Sequence, residues 1–266
     1  MNPELSEKLT LANLKARNYA LYWFGWLNIV AIALALVMYF TDATMITGVN
    51  AWIKPMKFSI SITLHAWTFA WLLAYLPEKK PVHMITRILI LCMMVENVLI
   101  YMQAFRGVRS HFNTSSAFDA SVFSTMGMFI LVNTIIILYT IKQFFNKGVR
   151  LDPVMLWAWR FGLIFFFLGG ISGGMMSARL AHTVGAPDGG GGVPFFNWST
   201  VAGDIRIAHF FTLHGLQLIP LIAALLISIT KNNALKLTAV FTVLYMGFCL
   251  WLHWMALNGL TVIFWR

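Results

Sequence analysis

Apolar residues recur along the chain in long runs that short polar segments separate. Each run holds about twenty predominantly apolar residues, the length that an α-helix needs to cross the hydrocarbon core of a bilayer. Seven such runs lie at 19–41, 57–77, 84–106, 120–142, 154–178, 205–229 and 237–264. Because they take up nearly the whole chain, the pattern predicts an all-α, polytopic integral membrane protein built as a seven-transmembrane-helix bundle.

The composition supports this interpretation. Of the 266 residues, 59% are hydrophobic and only 11% are charged, which is too little charge to cover the surface of a soluble domain of this size. The formal net charge is +10, but the basic residues form no continuous stripe, so a nucleic-acid partner is not expected. They lie at the ends of the apolar runs, where they contact lipid headgroups. Membrane lipids are therefore the expected partners.

Residues 1–18 precede the first run and differ from it in character. They carry acidic and basic residues and no apolar core, so they do not form a cleavable signal peptide. Leu5, Leu9, Leu11 and Leu14 recur at roughly helical spacing. We therefore expect residues 1–18 to form an amphipathic cytoplasmic segment, and residues 19–266 to form a single transmembrane domain.

Basic residues between the runs predict the orientation in the membrane. They concentrate after the second, fourth and sixth runs. Because successive helices cross the membrane in opposite directions, the loops after these runs lie on the same side. This set comprises Lys79, Lys80, Arg87, Lys142, Lys147, Arg150, Lys231 and Lys236. Short loops rich in Lys and Arg stay in the cytoplasm. The pattern therefore predicts a cytoplasmic N-terminus, a C-terminus on the outer side and, for a bacterial protein, the inner (plasma) membrane.

A second group of polar residues lies at the predicted outer ends of the helices or on the polar helix faces that run inward from them. Its members are Lys57, Gln103, Arg106, Arg109, Asp204, Arg206 and Gln217. One interpretation is structural: the arginines form salt bridges, such as Asp204 with Arg106 or Arg206. The other is functional: cations focused at a low-dielectric mouth attract and bind an anionic small molecule or lipid. Under the second interpretation these residues bind the substrate.

Ionisable residues also lie deeper in the predicted helices, where burial in hydrocarbon is energetically costly and therefore indicates a function. At ~1.5 Å per residue, His65, Glu96, His214 and His253 all lie ~12–16 Å from the outer ends of their predicted helices. Three imidazoles at one depth are typical metal ligands, so His65, His214 and His253 are the candidate ligands. Glu96 is the candidate general base. His209 lies nearer the rim and is the second candidate catalytic residue.

These residues favour two classes of function. The first is a metal- or haem-dependent membrane enzyme or redox protein, in which an outer-facing polar cavity leads to the His and Glu centre. The reaction would be that of an oxidoreductase or a hydrolase, with zinc, iron, copper or haem b as the cofactor. The second is a proton-coupled transporter, or a membrane protein that binds a small molecule or lipid, in which the same His, Glu and Arg residues work without a metal. The sequence alone leaves both open.

Overall fold

A computed structural model describes residues 10–146, 148–149, 151–189, 192–230 and 232–263. This part of the chain forms eight helices: α1 (Leu11–Arg17), α2 (Tyr19–Thr41), α3 (Ile53–Leu73), α4 (Lys79–Phe105), α5 (Ala117–Phe145), α6 (Pro153–Arg179), α7 (Ile205–Ile229) and α8 (Ala234–Leu257). Four two-residue strands accompany them: β1 (Met45–Ile46), β2 (Val49–Asn50), β3 (Thr183–Val184) and β4 (Gly203–Asp204). The all-α prediction is confirmed.

Six of the helices, α2 and α4 to α8, are long and apolar enough to cross a membrane. The chain is therefore a multi-pass integral membrane protein. The second predicted run corresponds to α3, which has 21 residues but lies outside this set of six. Its apolar character is diluted by Lys54, Lys57 and His65 and by several hydroxyl side chains. Residues 1–9, Lys147, Arg150 and Lys231, on which the predicted N-terminal segment and orientation partly depend, lie outside the described residues.

The last helix ends earlier than the apolar run does. The run extends to residue 264, whereas α8 ends at Leu257. Gly259 follows with a φ of 73°, a left-handed conformation that a residue without a side chain adopts at little cost. Because the residues beyond it are also apolar, hydrophobicity alone could not locate this end.

The chain divides into two compact units. The first contains α1 to α4 and α5 up to Ile136, and the second contains the end of α5 together with α6 to α8. In chain terms, the first unit is 1–46, 50–136 and 147–150, and the second is 47–49, 137–146 and 151–266.

In the first unit, α2 and α3 pack closely where a glycine faces a tryptophan. A Cβ atom added at Gly25 would lie 2.0 Å from Nε1 of Trp67. The same indole donates a hydrogen bond of 3.2 Å to the carbonyl of Tyr22. At the end of α1, the Arg17 guanidinium lies over the Trp71 ring and donates to the Trp71 carbonyl at 3.0 Å. These contacts attach α1 and α2 to α3.

A partly buried polar network joins α2, α3 and α4 of the same unit. The Asn97 amide donates to Oδ1 of Asn28 at 2.9 Å and to Oγ of Ser59 at 3.1 Å. The Tyr101 hydroxyl lies 3.1 Å from the same Oγ and donates to the carbonyl of Ala31 at 2.6 Å. Because hydrocarbon offers no water to unpaired polar groups, such a network holds the three helices in one arrangement.

In the second unit, small residues let α6 and α7 approach each other. A Cβ at Gly162 would lie 3.1 Å from Cα of Leu216, and one at Gly169 would lie 3.0 Å from the backbone nitrogen of Leu213. On the facing helix, a Cβ at Gly215 would lie 2.7 Å from Cβ of Phe165. This is the small-residue packing typical of membrane helices, and it brings the α7 side chains onto the α6 backbone.

Candidate functional site

His209 lies against the glycine-rich segment of α6. Its Nδ1 donates a hydrogen bond of 2.8 Å to the carbonyl of Gly169. A Cβ at Gly173 would lie only 3.1 Å from Cε1 of the ring, so this glycine makes room for the imidazole. A carbonyl oxygen can only accept, so the proton of the neutral ring lies on Nδ1 and the lone pair lies on Nε2.

His253 of α8 is in the same tautomer as His209, with the proton on Nδ1, and contacts a side chain on α6. Its Nδ1 donates to the carbonyl of Cys249 at 2.9 Å, which leaves Nε2 as the acceptor. Ser172 Oγ lies 2.9 Å from that Nε2 and is its donor. Ser172 is only 1% exposed. Its hydroxyl and the His253 ring therefore form a serine–histidine pair between α6 and α8.

Ser172 was not predicted from the sequence. It lies within the run GGISGG at 169–174, where a small hydroxyl residue is typical of close helix packing. The glycines on both sides were the only available signal, because they indicate that other side chains approach this stretch of backbone closely. Nothing in the sequence relates it to His253, 81 residues away.

His214 lies deeper along α7. Its Nδ1 is 3.2 Å from Oε1 of Gln217, one turn further along the helix, and its ring centroid is 4.3 Å from that of Phe210. Gln217, predicted to bind substrate, thus contacts a histidine that was predicted to bind metal. With Nδ1 donating to the amide oxygen, Nε2 of this ring also carries the lone pair.

These side chains form one group in the second unit, which we call the histidine cluster. It comprises Ser172, His182, His209, His214 and His253. His209 interacts electrostatically with each of the other three histidines. His182 follows α6 in a loop, where its Nδ1 lies 2.9 Å from Oδ2 of Asp188. The cluster therefore extends from this loop into the helices.

The helix bounds change the predicted depths. His253 lies four residues before the end of α8, and His209 lies four residues after the start of α7. Both are therefore ~6 Å from their helix ends, whereas His214, nine residues into α7, is ~14 Å deep. His253 thus matches His209 in depth and not His214, because the last helix ends at Leu257 and not at residue 264.

The other two members of the predicted centre, His65 and Glu96, belong to the first unit. His65 is buried in α3 with its ring centroid 4.5 Å from that of Phe69. Glu96 is buried in α4 and interacts electrostatically with Lys54.

A metal site of three or more ligands has no geometric support in the part of the chain that the structure describes. No group of three or more His, Cys, Asp or Glu side chains there is arranged to hold a metal ion. The zinc, iron, copper or haem centre stays a prediction from the sequence.

Most of the predicted rim residues are held in ion pairs or hydrogen bonds. Arg206 pairs with Asp204 at 2.6 Å, as the salt-bridge interpretation predicted. Arg106 pairs with Asp119 instead of Asp204, and Gln103 also donates to Asp119, at 2.9 Å. These contacts neutralise much of the charge that was expected to attract an anion. Two further predicted rim cations differ in exposure: Lys57 is half-buried and Arg109 is exposed.

No protein-family model matches the chain, and neither a curated protein nor a solved structure matches it. Assignment of function therefore depends on the geometry of the candidate site alone.

Proposed function

We propose that this protein is a membrane-embedded enzyme that transfers or hydrolyses acyl groups, with Ser172 as the nucleophile and His253 as its general base. The observation that carries the proposal is the 2.9 Å contact between Ser172 Oγ and His253 Nε2, in a ring whose Nδ1 is held by the Cys249 carbonyl. A nucleophile, a base within hydrogen-bond reach and a third group that orients the base are the shared features of activated serine sites.

The reaction follows from these positions. His253 Nε2 accepts the Oγ proton of Ser172 as Oγ attacks the carbonyl carbon of an ester. The tetrahedral intermediate collapses, the bond to the alcohol breaks, and the alcohol leaves with the proton from His253. Water then attacks the acyl-serine by the same steps and releases a carboxylic acid. The Cys249 carbonyl stabilises the imidazolium form, because its bond to Nδ1–H strengthens when the ring is charged.

His209 supplies a second base beside the pair. Its Nε2 receives no hydrogen bond from the described residues, and its ring lies against the same α6 segment as Ser172. We propose that it accepts a hydrogen bond from the leaving alcohol or from the attacking water. The substrate class that fits an uncharged pair among apolar helices is an ester with a long apolar portion, such as an acylated lipid.

The test is covalent labelling of the detergent-purified protein with a small fluorophosphonate, a reagent that modifies activated serines. We expect wild type to be labelled at Ser172 and His253→Ala to lose most of the labelling. Ser177→Ala, on the same helix, is the matched control and should label as wild type does. Ester hydrolysis in mixed micelles should fall in parallel. Equal hydrolysis by wild type and Ser172→Ala would refute the proposal.

A second candidate function is binding of a metal or haem, and one observation favours it. His209 and His214 each donate Nδ1–H to an oxygen atom, which is how metal-ligating histidines are usually oriented. Metal analysis and the visible absorption spectrum of the purified protein test this candidate. Near-stoichiometric metal or haem that disappears in a His209→Ala/His214→Ala variant would establish it and displace the acyl-transfer proposal.

We also propose a topology of seven spans, with α3 as the additional one, a cytoplasmic N-terminus and an outer C-terminus in a bacterial inner membrane. The 21 residues of α3 suffice to cross the hydrocarbon core. Lys15 and Arg17 in the last turn of α1 support a cytoplasmic start, and this topology puts the histidine cluster near the outer surface. Reporter fusions at both termini test it, and reporters that give the same side at both ends would contradict it.

A further inference from the structure

The first unit contains a buried acid that the proposed acyl chemistry does not use. Glu96 of α4 is 1% exposed, and neither of its carboxyl oxygens accepts a hydrogen bond from a residue that the structure describes. It lies nine residues before the end of α4, which places it ~14 Å along the helix from that end. A carboxyl group at this depth without donors is rare in membrane helices and marks proton pathways.

The nearby Asp119 shows what an ionised carboxylate requires in the same unit. Asp119 lies in the first turn of α5, and its two oxygens accept hydrogen bonds from Gln103, Arg106 and Ser116. Gln103, seven residues after Glu96, lies on the same face of α4 and donates its amide to Asp119. The donors on this face therefore serve Asp119, and Glu96 receives none of them.

The polar side chain next to Glu96 in the sequence, Asn97, donates its hydrogen bonds to other residues. The Asn97 amide donates to Asn28 and Ser59, in the network that joins three helices. Glu96 interacts electrostatically with Lys54 on α3 and with Cys92, one turn earlier on α4. Neither donates a hydrogen bond to the carboxyl oxygens. An ionised carboxylate here would lack the donors that offset its desolvation, whereas a carboxylic acid avoids that cost.

We propose that Glu96 is a proton-binding site that holds an exchangeable proton at neutral pH. The site gives the first unit a proton donor and acceptor in the middle of the membrane, which is the central element of a proton relay. This inference is independent of the acyl-transfer proposal, because it uses residues of the first unit only and requires no nucleophile.

The first test is infrared difference spectroscopy in native-like lipid. We expect a carbonyl band of a protonated carboxylic acid at pH 7 that shifts in D₂O and is absent in Glu96→Gln. Asp119→Asn is the matched control, because its carboxylate is held ionised by its donors, and it should leave the band unchanged. A band that is absent from wild type would overturn the proposal. A band that does not shift in D₂O would also overturn it, since the proton would then not exchange.

The second test is labelling with dicyclohexylcarbodiimide, an apolar reagent that modifies protonated carboxyl groups in membranes. Peptide mass spectrometry should find the adduct at Glu96, and raising the pH should decrease it. Glu96→Gln should lose the adduct, and Asp119→Asn should keep it. Labelling that falls when sodium replaces choline at constant pH would assign the site to a metal cation and overturn the proton assignment. A failure here would leave the fluorophosphonate result untouched, so the two proposals fail separately.

Discussion

Asp204→Asn should destabilise the second unit, because this carboxylate holds the start of α7 in place. Its side chain is 0% exposed and accepts hydrogen bonds from the backbone nitrogens of Ser199 and Arg206, at 2.8 and 3.0 Å. The Arg206 guanidinium adds Nε at 2.9 Å and Nη2 at 2.6 Å. His209, five residues after Asp204, depends on this arrangement for its position over α6.

The magnitude follows from what the substitution leaves behind. Removing one partner of a buried ion pair costs about 3–5 kcal/mol, because the other charge stays buried without compensation. The Arg206 side chain is 24% exposed and keeps a bond from Nη2 to the carbonyl of Asn197, so the lower end of this range applies. We expect the free energy of unfolding to fall by about 3 kcal/mol, nearly all of it from the ion pair, because an Asn side chain can still cap the helix.

Reversible chemical denaturation in detergent, with hydrogen exchange at the start of α7, measures this effect. The double variant Asp204→Asn/Arg206→Gln should be less destabilised than the sum of its single variants, by about 1–3 kcal/mol. Arg109→Gln, at an exposed rim cation, is the control and should stay within about 0.5 kcal/mol of wild type. If Asp204→Asn kept wild-type stability and lost only ligand binding, Asp204 would be a substrate residue and the structural reasoning would be wrong.

Three further outcomes are expected. Gly203→Ala should lower the free energy of unfolding by about 1–3 kcal/mol in the same denaturation assay, because the new Cβ would lie 2.2 Å from a carbonyl oxygen of α8. Gly25→Ala should lower thermal stability because its Cβ would meet the Trp67 indole, and Trp67→Phe in the same chain should restore part of the loss; additive effects would argue against this clash. Burial alone would raise the pKa of Asp188, but hydrogen bonds from the His182 ring and backbone outweigh it and hold the pKa well below its usual range. This loop should therefore keep its protection from proteolysis above about pH 4 and lose it progressively at lower pH, whereas Asp188→Asn should show no such dependence.

Some parts of the candidate site were predictable because they depend on local sequence. The Asp204–Arg206 pair is an example: the two residues are two positions apart, and charges near hydrocarbon need partners. The Arg106–Asp119 pair spans 13 positions and joins the end of α4 to the start of α5, so the sequence identified Arg106 as a rim residue without relating it to Asp119. The depth of His253 was misjudged because apolar residues continue beyond the end of α8.

The fold class was determined by the sequence itself, since a run of about twenty apolar residues must form a membrane helix to satisfy its backbone hydrogen bonds in lipid. The sequence did not determine which side chains come together in the folded protein. Ser172 and His253 are 81 positions apart, and only the packing of helices brings their side chains within 2.9 Å. Likewise, His65 and Glu96 belong to one unit and His214 to the other, a division that no local pattern records. Apolar character and the spacing of apolar residues are local properties of each segment. A contact between side chains depends instead on which helices pack together. Small residues such as Gly169 influence that packing because they let two helices approach closely.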